Sequence, residues 1–326
     1  MVFHIQQLFY IFVITSTFCA ATQESPEKNT QDFCHDQRRL KITDPIEKPS
    51  MITTNNSLRS NLNDTHDVFC KHGLSYHITI EKNGVPYATI GSKPIEILKI
   101  NGKYLIDPAL IAKRSWSTGV GYWNGEKQEI NNINTHAINI LFVNEGTNNN
   151  NNPNPVLGDS TSTTIWYPHT DEQLTTFAQL ILQLKEEYNI ADKDVVGYGQ
   201  VRINQKTDAL DFAFNPGPIF WQKAMERDIV TRPTLTQEEK NQYCNEHIQD
   251  FQRTLHDLGY YVKITGENDR QTQAATKQLR VRFDAYTDNP QDPTNPYDTC
   301  VSYNIARNLI SQITAKKITK QNDASK

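Results

Sequence analysis

Residues Asp194 to Trp221 read DVVGYGQVRINQKTDALDFAFNPGPIFW, and the fold turns on how this stretch divides. Val195 and Val196 are adjacent β-branched residues ahead of a glycine, which predicts a buried strand end. A loop rich in polar side chains follows. Asn215-Pro216-Gly217-Pro218 then turns the chain into a helix led by Phe220 and Trp221 and running to about Arg227.

Upstream, Thr170 and Gln173 form a capping box that opens a helix to Tyr188. Leu174, Phe177, Ala178, Ile181, Leu184 and Tyr188 recur along it at helical spacing. The segment THAINILFVNEG (135–146) is a near-continuous apolar run, as expected of a strand buried on both faces. In LSYHITIEKNGVPYATI (74–90) apolar and polar residues alternate on either side of Asn83-Gly84, which predicts a β-hairpin. Residues 55–69 read as an Asn- and Asp-rich connection. The cluster Trp116, Tyr122 and Trp123 fits either core packing or a sugar-stacking wall. Asn148 to Asn152, followed by Pro-Asn-Pro, is a low-complexity surface loop.

The two ends of the chain differ in kind. LFYIFVI, within residues 1–21, is too short to span a bilayer. With the small residues Ala20 and Ala21 behind it, it reads as an export signal. Residues 22–50 read as a polar tether. After export four cysteines remain, Cys34, Cys70, Cys244 and Cys300, an even number compatible with two disulfides. Past a boundary at RPTLTQEEKN, residues 237–312 read as a compact helical unit. Ile248, Phe251, Leu255 and Leu258 make one stripe ended by Gly259, Asp269 caps a second helix, and Val301, Ile305 and Leu309 mark a third. Cys244 and Cys300 stand at the starts of its first and last helices, and a disulfide between them is expected. A net charge of -4 argues against a nucleic-acid partner.

These segments resemble the zinc-dependent type 2 N-acetylmuramoyl-L-alanine amidases. That family ends a strand in a His ligand and takes an Asp ligand from Lys-Thr-Asp-Pro-Gly-Pro. Here Tyr198 stands at the His, Lys206, Thr207 and Asp208 follow, and Pro216-Gly217-Pro218 comes later, directly after Asn215. Aligning Met51-Ile52 with the family's first strand puts Thr53 or Thr54 at the other His. Ser75, His77 and Gly84 fall in register with its Ser-x-His-(strand)-Asp-Gly segment. Trp116, Gly119, Tyr122 and Gly125 match the cleft-lining loop, with Ser117 replacing a His, and Leu141 replaces the catalytic Glu. FQRTLHDLGYYV and TGENDRQTQAATKQLRVRF resemble the three-helix peptidoglycan-binding module.

The resemblance implies an α/β fold: a mixed, mostly parallel sheet of five or six strands with helices on both faces (51–230), then a small all-α domain of three helices (237–312). It implies an exported envelope protein, in the periplasm or anchored to the outer membrane, that binds peptidoglycan or muropeptides as a monomer. Membrane contact is expected only through lipidation at Cys19. The expected substrate contacts are His77, Trp116, Ser117, Tyr122, Tyr198, Asp208 and Asn215, with Lys206 the one residue left for catalysis. With Thr54, Tyr198 and Asp208 or Asn215 at the ligand positions, no zinc is expected. Two alternatives stand beside this: an active zinc amidase drawing on His66, His72, His77 or His136, and an envelope scaffold for a protein partner.

Overall fold

The structure is a computed structural model that describes residues 48–57, 59–72, 74–90, 93–117, 121–144, 147–148, 165–166, 168–210, 216–236, 248–283 and 299–324. Residues 1–47, which hold the expected export signal, most of the expected tether and Cys34, lie outside them, as do Gly119, Asn215, Cys244 and most of the asparagine tract.

Residues 33–326 form one compact unit. At its centre is a six-stranded sheet in the order β12-β1-β9-β2-β3-β4. Its strands are β1 (Met51–Asn56), β2 (Ile78–Ile80), β3 (Pro86–Ala88), β4 (Ile95–Glu96), β9 (Ala137–Phe142) and β12 (Val195–Gly197). The three pairings from β12 to β2 are parallel, and the β2-β3 and β3-β4 pairings are antiparallel. Every residue of β1 and β9 is buried, as befits the two strands inside the parallel layer. The hairpin between β2 and β3 turns at Gly84, whose φ of 81° favours glycine.

Strand alternation gives the sheet two chemically different faces. Ile52, Ile138, Ile140, Phe142, Ile78 and Ile80 belong to the apolar face. Helix α3 (Asp171–Tyr188) covers it with Leu174, Phe177, Ile181 and Leu184, and α5 (Pro218–Glu226) adds Phe220. The ring centroids of Phe142, Phe177 and Phe220 lie 5.2 Å apart in each pairing, a spacing typical of packed aromatics. The capping box at Thr170 and Gln173 is formed.

The opposite face is polar and also buried. Thr53 Oγ1 donates to Asn139 Oδ1, and Asn139 Nδ2 donates to Ser115 Oγ. Above this face lies α1 (Leu62–His72), in place of the connection expected over 55–69. Asn61 Oδ1 accepts from the Asp64 backbone at 2.9 Å and starts the helix, while Leu62 and Thr65 are buried beneath it. A stripe this short, in an Asn- and Asp-rich segment, does not announce itself by periodicity.

The C-terminal helices are α6 (Ile248–Leu258), α7 (Arg270–Phe283) and α8 (Thr299–Ala324), the last running past the expected end at 312. They pack on the β12 side of the sheet through specific contacts. Arg282, buried, donates to Val195 O at 2.9 Å and lies 4.9 Å over the Trp221 ring. Gly259 has φ 116°, and a Cβ there would come within 2.4 Å of the Trp123 ring. Trp123 is fully buried and donates its indole N–H to Asp194 Oδ1 at 3.0 Å, which makes it core. Among the described residues no helix is long and apolar enough to cross a membrane.

Candidate functional site

The carboxyl ends of the parallel strands are where open α/β sheets place their ligands. Three elements deliver side chains to one row there. In the register between β1 and β9, Asn55 pairs with Leu141; Thr54 pairs with Gly197 of β12, so the next residue, Tyr198, follows beside Asn55. Tyr198 begins the short helix α4 (Tyr198–Val201).

The row is tied by hydrogen bonds that the sequence did not suggest. Asn55 Nδ2 donates to the Tyr76 hydroxyl at 2.7 Å. Arg202, one turn after Tyr198, donates Nη1 to the Tyr198 hydroxyl at 2.5 Å, with its guanidinium 5.2 Å from the Tyr198 ring centre. Burial and the neighbouring Tyr198 push the Tyr76 phenol above its ordinary value, against a smaller downward pull from Asn55 and Arg202. Asn55, Tyr76, Leu141 and Tyr198 are all buried. The one available signal was the period of two: with Thr53 on the polar face, Asn55 shares it and Thr54 cannot.

Thr54 faces the other way and donates to Val196 O at 3.2 Å. The strand-end position on the polar face is therefore Asn55 rather than Thr54. Asp208 is also drawn elsewhere. Its carboxylate, in a left-handed turn at φ 48°, accepts from the Tyr261 hydroxyl, Lys263 Nζ and Gln271 Nε2, each at 2.9 Å, all on the C-terminal helical unit. The Lys263 bond is the largest cause holding this carboxyl below its usual range. Lys206 is exposed on the turn between β13 (Ile203–Asn204) and β14 (Ala209–Leu210).

His77 is buried with both ring nitrogens engaged: Nδ1 accepts from the Asn139 backbone at 3.0 Å, and Nε2 lies 2.7 Å from Lys113 O. The first contact requires an unprotonated Nδ1, so Nε2 carries the proton. Burial pulls its pKa down to about 4. Tyr122 hydrogen-bonds His256 Nε2 at 3.1 Å and packs 5.3 Å from the Tyr261 ring, at the junction with the C-terminal helices; burial lifts it to about 12. Trp116 is half-buried under the Arg114 guanidinium at 4.2 Å, and its backbone pairs with Ser75. Ser117 is buried, with its backbone N–H on Asn134 Oδ1 at 3.2 Å. His66 lines a small pocket with Phe69 and Tyr76, whereas His136 meets Gln128 at 3.2 Å and His72 is exposed.

Zinc in proteins is held by imidazole, thiolate or carboxylate, with three protein ligands at a catalytic site. An amide, a phenol and an aliphatic side chain form the strand-end row, and among the described residues no three His, Cys, Asp or Glu side chains come together to hold a metal. The described residues do not fit a zinc site. What the row can do chemically is accept and donate hydrogen bonds.

The family model for N-acetylmuramoyl-L-alanine amidase matches residues 33–218. Among solved structures, the chain is similar to the N-acetylmuramyl-L-alanine amidase AmiD from E. coli, in complex with the substrate anhydro-N-acetylmuramic acid-L-Ala-D-gamma-Glu-L-Lys. The TM-score is 0.54 at 18% identity, over 82% of this chain and 90% of that one. It is also similar to AmpDh3 from Pseudomonas aeruginosa, with TM-score 0.53 and 16% identity over 90% and 98% of the two chains. AmpDh3 in complex with anhydromuramic pentapeptide gives 0.52 at 16% identity, with the same coverage. At these identities the likeness establishes the fold. No curated protein matches.

Proposed function

The chain belongs to the N-acetylmuramoyl-L-alanine amidase family, and from that premise we propose that it binds peptidoglycan or muropeptides without zinc-dependent hydrolysis. One observation carries this reading: the strand-end row holds Asn55, Leu141 and Tyr198, closed by the Asn55–Tyr76 and Tyr198–Arg202 hydrogen bonds. A leucine neither takes nor gives a proton, so no general base acts from that position. The buried phenol and amide, both already hydrogen-bonded within the protein, supply no metal-activated water. That two solved relatives carry muropeptides supports the ligand class.

The proposed layout is an amidase-like domain over 51–230 and a peptidoglycan-binding helical domain over 237–312. Trp116, beneath Arg114, is the aromatic surface we assign to ligand contact; Asp208 and Tyr122 join the two domains. The apolar segment within residues 1–21 supports export to the cell envelope. Incubating the full chain with insoluble murein sacculi tests the reading. Retention on sacculi with no release of stem peptides is expected. Chelator-sensitive peptide release would restore the enzyme, and no retention would favour a scaffold for a protein partner.

A further inference from the structure

The polar row does not account for the opposite edge of the sheet. Residues 93–105, KPIEILKINGKYL, carry β4 and then the hairpin of β5 (Lys99–Ile100) and β6 (Lys103–Tyr104). Ile95, Leu98, Ile100 and Leu105 in this segment are 64%, 57%, 50% and 55% exposed. Elsewhere among the described residues the large exposed aliphatics are scattered singly, at Leu182, Ile219, Ile264 and Ile318. Scattered apolar residues are ordinary on a protein surface; a cluster calls for a partner.

The hairpin presents its cluster in a fixed orientation. Lys99 pairs with Tyr104 and Ile100 with Lys103. Tyr104 is buried toward α3: its backbone N–H donates to Gln183 Oε1 at 2.9 Å, Gln183 Nε2 donates back to its carbonyl at 2.9 Å, and Lys99 reaches Gln179. Alternation therefore turns Leu98, Ile100, Lys103 and Leu105 outward. The Leu105 backbone N–H bonds Leu98 O at 2.9 Å, which sets those two leucines side by side. Asn101 and Gly102, at φ 51° and 82°, make the tight turn that pushes Ile100 to the tip.

We propose that this hairpin is a contact site for an anionic membrane surface, its leucines and isoleucines entering the headgroup layer and its lysines meeting lipid phosphates. Two observations favour lipid over protein. Lys93 and Lys103 are exposed, against the single carboxylate of Glu96 within 93–105, a charge balance that suits anionic lipid, while Lys99 is held on the other face by Gln179. Four half-exposed aliphatics also fall well short of the ~800 Å² per partner that a specific protein interface buries. Strand β4, which leads into the hairpin, lies five strand spacings from β12, roughly 24 Å across the sheet, on the edge away from the C-terminal helices. A membrane and a second ligand held by those helices could be engaged together.

Co-sedimentation of the full chain with phosphatidylcholine vesicles, with and without phosphatidylglycerol, tests this independently of any murein binding. Binding should require phosphatidylglycerol and weaken with salt. Leu98→Ser with Leu105→Ser should lower the vesicle affinity about ten-fold, and Lys103→Glu by a similar factor, relative to the parent chain. Should the leucine pair disturb folding, as a shifted thermal transition would reveal, Ile100→Ser at the turn tip replaces it. Equal binding by parent and variants would overturn the proposal. So would a concentration-dependent dimer, seen by light scattering, that the same substitutions abolish, because the occupant would then be a second copy of the chain.

Discussion

The side-chain amide of Asn55 donates to the hydroxyl of Tyr76 at 2.7 Å, tying the carboxyl end of β1 to the residue ahead of β2. The family carries a His ligand at the end of its first strand. In this chain that strand end carries an amide whose nitrogen is committed to a phenol. The hydrogen bond from Arg202 to Tyr198 does the same for β12. Both strand ends are held by protein partners.

The purified protein is expected to contain less than stoichiometric zinc and to release no peptide from muropeptides. Asn55→His with Tyr198→His should raise zinc uptake, measured by elemental analysis, while leaving hydrolysis undetectable. About one zinc per parent chain, with chelator-sensitive hydrolysis, would refute this.

Two buried histidines predict acid sensitivity. Burial lowers His77 to about 4 and His169 to about 3, from 6.5 in the unfolded chain. Between those values the unfolded chain binds protons that the native protein refuses. The stability their neutral forms contribute is complete above 6.5 and is lost as pH falls toward 4 for His77 and 3 for His169. The loss is about 1.4 kcal/mol per pH unit for each histidine inside its window. Urea midpoints measured down this range should fall, and in His77→Gln the slope should be roughly half as steep. A flat profile would count against both burials.

Gly259→Ala should destabilise by ~3 kcal/mol or more, combining a left-handed backbone with a Cβ driven into the Trp123 ring. Gly102→Ala, also at positive φ but with nothing within 4 Å, should cost only ~1–2 kcal/mol. Thermal melts of the two variants measure the difference. Acrylamide quenching should show Trp123 newly accessible only in the first. Similar losses in both would mean that Trp123 does not pack against the helical unit as described.

Cys244 and Cys300 are expected to be disulfide-bonded in protein purified without reductant. The bridge would close a loop of roughly 57 residues and stabilise by ~4 kcal/mol in the chain-entropy model. Neither thiol should react with a maleimide until reductant is added, and the melting point should then drop. Immediate labelling of both would exclude the bridge.

Much of the fold could be read from the chain because its signals are local. The capping box at Thr170, the stripe of α3, the Asn83-Gly84 turn and the apolar run of β9 each depend on neighbours within a turn or a strand. The places of Leu141 in a buried strand and of Tyr198 just past a strand end were legible too. The identity of the strand-end partner was not. Thr54 and Asn55 are adjacent, and only the pairing with β9 and β12 decides which of them lies on the polar face of the sheet. Asp208 looked like a ligand beside Lys206 and Thr207, yet its partner Lys263 lies 55 residues onward, brought there by the docking of the C-terminal helices. Tyr76 and Arg202 carry no motif at all. Local sequence determines which elements form; long-range register and docking decide which side chains meet, because those contacts exist only once the sheet has paired and the helices have packed.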